Sequence, residues 1–79
     1  MVTIVLDSGA ILETEIAGWE QTRVVDCLNR GEFVVMSSAG YWRASFDYRT
    51  DALDFARSED KVLSPTGAIV SIVAVARRN

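Results

Sequence analysis

The chain opens on strict alternation. Val2, Ile4 and Leu6 fall on one face of a strand, with Thr3, Val5 and Asp7 on the other, the period of a half-buried β-strand. Asp7-Ser8-Gly9 follows, a tight-turn sequence in which Gly9 takes a positive φ at no steric cost. The alternation then resumes, placing Leu12, Thr14 and Ile16 on one face and Glu13 and Glu15 on the other. These two runs predict an antiparallel hairpin with its apolar face inward and its glutamates in water. Gly18 and Trp19 end or bend the second strand. From Thr22 the period lengthens. Val24, Cys27 and Leu28 fit helical spacing, Thr22 stands as the N-cap, and Gly31 is placed for a left-handed cap after Asn29-Arg30. Phe33-Val34-Val35-Met36 is apolar on both faces and reads as a central strand.

After a turn at Ser38-Ala39-Gly40, Trp42, Ala44, Phe46 and Tyr48 alternate with Arg43, Ser45, Asp47 and Arg49, which predicts a further strand. Residues 51–60 read as a surface turn or short helix anchored by Leu53 and Phe55-Ala56, with charges of both signs on a solvated face. Val62-Leu63 is a short strand. Pro65, lacking an N–H, places the turn at residues 64–67, and residues 68–76 form a β-branched strand that is apolar on both faces. There Ile69, Val73 and Val75 face opposite to Val70 and Ile72, and Arg77, Arg78 and Asn79 form a basic end. Five short strands and one brief helical segment predict a mainly all-β domain spanning residues 1–79, a small five-stranded SH3-like or Sm-like barrel. Its core is expected to hold Leu6, Leu12, Ile16, Phe33 and Ile72.

Composition narrows the class. Of the 79 residues 49% are hydrophobic and 24% charged, with a net charge of −3, which is globular composition and argues against disorder. No apolar run approaches the roughly 18 residues of a membrane span. The opening residues lack the basic region, apolar stretch and small-residue cleavage site of a signal peptide, so none is expected. Cys27 is the single cysteine, so no internal disulfide forms, and a reducing, cytoplasmic location is expected. A chain this short buries only about 60% of its unfolded surface, so association would stabilise it.

Val2-x-Ile4-x-Leu6-x-x-Gly9 followed by Leu12-x-x-x-Ile16 is similar to the opening strands of Sm-like proteins. The stretch Arg23-Val24-Val25-Asp26-Cys27-Leu28-Asn29, before Phe33-Val34-Val35-Met36, resembles a narrower group. These are small uncharacterised bacterial proteins with an Arg-Leu-x-Asp-x-Leu-Asn motif ahead of a Phe-Ile/Leu-x-Leu strand. The resemblance covers about two-thirds of the chain, leaves residues 40–60 aside and implies a small barrel with no assigned chemistry. Thr14 stands where Sm-like strands carry a glycine, and no base-holding Asn or Asp follows the third strand near Ser37-Ser38-Ala39-Gly40.

The candidate chemistry is sparse. With no histidine in the chain, neither Cys27 nor any serine has the usual base, and one cysteine without histidine does not make an ordinary zinc site. No glycine loop for phosphate is present, and Asp51, Asp54, Glu59 and Asp60 lack the spacing of a calcium loop. No cofactor, metal or catalytic activity is expected. Arg23, Asp26 and Asn29 share one side of the helical segment. They read as ties between helix and neighbouring backbone, with Arg23 paired to Asp26, against the alternative of a polar site. Cys27 reads as core.

Two functional readings lead, with a ligand-binding or catalytic domain as a lesser third. In the first the domain is a non-enzymatic interaction or assembly module that homo-oligomerises through a sheet edge or the outer face of the last strand, with Val73 on the contact. Its charge split fits head-to-tail pairing: residues 1–32 carry six acidic against two basic side chains, and residues 61–79 carry three basic and no acidic ones. In the second, Trp42, Arg43, Tyr48 and Arg49 form an Sm-like surface for single-stranded nucleic acid, stacking bases and pairing phosphates. Alternation sets the rings and the arginines on opposite faces, and the net negative charge opposes phosphate binding, so protein association is the preferred reading.

Overall fold

The computed structural model describes residues 1–71, and the expectations for Ile72, Val73 and Val75 lie outside the described residues. Two strands, β1 (Val2–Val5) and β2 (Ile11–Thr14), pair antiparallel with Val5 opposite Ile11 and Ile4 opposite Leu12. The chain then makes a short 3₁₀ turn at Gly18–Glu20 and enters helix α1 (Gln21–Asn29). Strand β3 (Phe33–Met36) follows, then β4 (Trp42–Phe46), helix α2 (Arg49–Phe55), β5 (Lys61–Leu63) and β6 (Ile69–Ser71). The second sheet runs β4-β3-β5-β6, antiparallel throughout.

This corrects the five-stranded barrel with one short helix expected from the sequence. Among the described residues there are six strands in two separate sheets, two helices and no closure. The physical reason is that the four-stranded sheet is apolar on both faces and each face finds a different cover. On one face Val34, Met36 and Leu63 pack with Ile4, Leu6, Leu12 and Ile16 of the hairpin and with Val24, Cys27 and Leu28 of α1. On the other, Val35 and Val62 pack against Ala52 of α2, with Phe33, Phe46, Leu53, Ala56 and Val70 around them. A barrel has one interior; this sheet divides two. The hairpin is docked on the sheet by side-chain burial, and Lys61 Nζ donates to Thr14 Oγ1 at 2.8 Å across the seam.

Local signals explain the ends of the elements. Gly31 at φ +83° closes α1, with its N–H on the Leu28 carbonyl and the Glu32 N–H on the Cys27 carbonyl, the bond pair of a Schellman cap. The helix start differs from the sequence expectation. Thr22 lies inside α1, and Glu20, at the N-cap position, turns its carboxylate to the backbone N–H of Trp42 at 2.8 Å. Leu6, Leu12 and Ile16 are buried as expected, and Phe33 is half-buried against the α2 cluster. Among the described residues no helix is long and apolar enough to cross a membrane.

Candidate functional site

The β2 exit and the β3–β4 turn are pressed together by a glycine. The turn at residues 37–41 is closed by Gly40 N–H on the Ser37 carbonyl and by Tyr41 N–H on Ser37 Oγ. Gly40 sits at φ +91°, and a Cβ there would stand 3.0 Å from the Glu15 carbonyl oxygen and 3.1 Å from the Ala17 nitrogen. A side chain there would push the two backbones apart by a few tenths of an ångström; with glycine, Ala17 N–H donates to the Gly40 carbonyl at 2.8 Å. Downstream of this contact, Trp19 on the 3₁₀ turn meets Tyr41, their ring centroids 5.6 Å apart and tilted by 35°. Neither ring is sheltered: Trp19 is 74% exposed and Tyr41 44%.

The Arg23 guanidinium lies 4.7 Å from the centroid of the Trp42 ring, which packs against the hairpin-side core. Two aromatic rings are therefore presented to solvent on a support fixed by backbone hydrogen bonds, a glycine contact and the Glu20–Trp42 bond. The sequence reading missed Trp19, taking it only as the end of a strand. Its one signal is a large aromatic residue that fits neither the strand period before it nor the helical period after it.

The residues expected to bind nucleic acid are dispersed. A β-bulge between Val35 and Met36 skips Arg43, pairing Met36 with Trp42 and Val35 with Ala44. Trp42 therefore joins the hairpin-side core while Phe46 joins the α2 side, where it packs on Phe55 at 5.4 Å. Arg43 also turns to the α2 side, with its guanidinium 5.3 Å from the Phe55 ring and Nε 3.6 Å from the buried Asp60 carboxylate. Asp60 in turn accepts the Arg57 N–H at 2.8 Å, so this pair ties β4 to the chain entering β5. Tyr48 is exposed just before α2, and Arg49 is the first residue of that helix. Val73 lies outside the described residues.

Of the helical trio, Asn29 accepts the Asp7 N–H at 2.9 Å, a helix-to-backbone tie of the kind expected. Arg23 turns to Trp42, and no ion pair joins it to Asp26 among the described residues. Cys27 is buried, with Arg30 Nη2 3.5 Å from its sulfur. Arg30 also donates to Glu32 at 3.1 Å, and with the Ser45 hydroxyl it holds the Glu32 carboxyl below the usual carboxylate range. Among the described residues no group of three His, Cys, Asp or Glu side chains is placed to hold a metal ion.

Compared with protein-family models, curated proteins and solved structures, the chain matches none.

Proposed function

We propose that the protein is a non-enzymatic interaction and assembly module that homo-oligomerises, with the Trp19–Tyr41 pair at the centre of the contact. One observation carries the reading: a tryptophan three-quarters exposed yet held in a fixed geometry against a second exposed ring. Tryptophan and tyrosine dominate the energetics of protein contacts because they bring large apolar area with few rotatable bonds. The outer face of the hairpin carries a second exposed apolar pair at its turn end, the direct cross-strand partners Val5 and Ile11, which are 66% and 59% exposed.

Self-complementarity supports a second copy as the partner. Arg23 is committed to the Trp42 ring and Glu20 to the Trp42 N–H, so the exposed rings themselves are what the surface offers. Two such patches can meet about a two-fold axis, ring against ring. A cytoplasmic location fits a chain with one cysteine and so no internal disulfide.

Sedimentation velocity from about 1 to 200 μM tests this reading. A weight-average mass that rises with concentration above that of the 8.7 kDa chain is expected. A monomer throughout removes the assembly reading.

A further inference from the structure

On the α2 face of the sheet, the helix covers β4 and β3 and leaves a groove over β5 and β6. It has a volume of about 210 Å³ and is lined by Phe33, Val62, Ala68, Val70, Ser64, Thr66 and Arg49. The register explains this lining. Val62 pairs with Val70, and Ser64 N–H bonds the Ala68 carbonyl, so the side chains of 62, 64, 68 and 70 share one face. Phe33 lies two residues before Val35 and so reaches the same face.

Among the described lining residues the polar groups are few, and all are donors or donor-capable. Arg49 is the one charged residue among them and forms no ion pair with a described residue. Ser64 Oγ and Thr66 Oγ1 are 2.8 Å apart, and Ser64 Oγ also accepts the Thr66 N–H at 3.2 Å. The bond between the two hydroxyls uses one of their two protons, so the other remains free to donate. Among the described residues no carboxylate lines the groove. An apolar floor, one guanidinium and one spare hydroxyl proton suit an anion with an apolar body. A carboxylate matches best, because its two oxygens take both kinds of donor. A cavity of about 150 Å³ with apolar walls already accepts benzene, so this groove has room for one ring or a short chain with its head group.

We infer that this groove is a binding site for small aromatic or short-chain monocarboxylates. The site shares no residue with the Trp19–Tyr41 surface, and it stands or falls independently of self-association.

The test is a titration of the isotope-labelled 79-residue chain with phenylacetate, followed by backbone amide shifts. Phenylacetamide, which has the same body without the charge, is titrated in parallel. Saturable shifts are expected at Phe33, Val62, Ser64 and Val70, with the amide binding at least about tenfold more weakly, as loss of a charged hydrogen bond implies. Arg49→Met should weaken phenylacetate by a similar factor. Ala68→Leu, at an exposed position where the larger side chain fills the groove, should abolish binding with the other amide signals in place. Equal affinity for acid and amide, an Arg49→Met variant that binds as the parent does, shifts confined to other residues, or no saturation by 20 mM on the order of the weakest ligand constants would each overturn the assignment.

Discussion

Ala17 donates its backbone N–H to the Gly40 carbonyl at 2.8 Å, joining the exit of the hairpin to the turn that carries Tyr41. Everything proposed for the aromatic pair depends on this joint. Trp19 is two residues beyond one partner and Tyr41 one residue beyond the other, so a shift of either backbone separates the rings.

Gly40→Ala should therefore cost more than a turn glycine ordinarily does. Gly9 and Gly40 share a φ of +91°, but a Cβ at Gly9 meets open space while one at Gly40 meets the Glu15 carbonyl at 3.0 Å. The strained φ alone costs about 1 kcal/mol or more, and the backbone clash adds to it, giving about 2–3 kcal/mol for Gly40→Ala. Urea midpoints followed by tryptophan fluorescence compare the two variants. Equal losses at both positions would show that the close approach contributes nothing.

The local elements are legible in the sequence because their signals are local. The hairpin follows from period-two alternation around Asp7-Ser8-Gly9, and the end of α1 from Gly31. The arrangement is not legible, for two physical reasons. The hairpin meets the sheet through side-chain burial, which leaves no register signature, so the same strands serve a barrel or a stack. The bulge at Arg43 reverses the alternation of β4 with no glycine or proline to mark it, which sends Trp42 and Phe46 to opposite faces. The aromatic pair itself joins residues 22 positions apart through a turn glycine whose role appears only in three dimensions.

That same bulge bears on nucleic acid. Trp42 lies on the hairpin side and Arg43 is engaged by Asp60 on the α2 side, so this ring and this arginine do not share a surface, and Tyr48 and Arg49 are left as an adjacent exposed pair. Short single-stranded RNA and DNA should show no measurable binding at physiological salt in fluorescence anisotropy. A micromolar affinity that falls steeply with salt and weakens in the Arg43→Ala, Arg49→Ala double variant would restore that reading.

Acid stability should carry the signature of Glu32. Arg30, and secondarily the Ser45 hydroxyl, lower its carboxyl pKa in the folded chain. A folded value below the unfolded one, about 4.3, means the contribution is complete above the unfolded value and is lost as the pH falls through the folded one. Arg30 is mostly exposed, so the contribution is small and screened by salt. Glu32→Gln should be slightly less stable than the parent at pH 7, and the gap should close below about pH 4 or in about 1 M salt. A gap that persists unchanged in urea melts at low pH would show that the charge is not its source.

The proposed role of Trp19 is that of a contact residue held in the open, with a small share in the stability of the fold. Trp19→Ala, measured by sedimentation velocity alongside the parent over the same concentrations, separates the two roles. Removing the exposed ring forfeits its tilted contact with Tyr41, about 0.5–1.5 kcal/mol of folding stability, while truncating a central contact residue costs about 2 kcal/mol or more of association. The expected variant folds, with a melting midpoint only slightly below the parent's, and stays monomeric at concentrations where the parent associates. A variant that associates as the parent does, or one that unfolds, would contradict the proposed role.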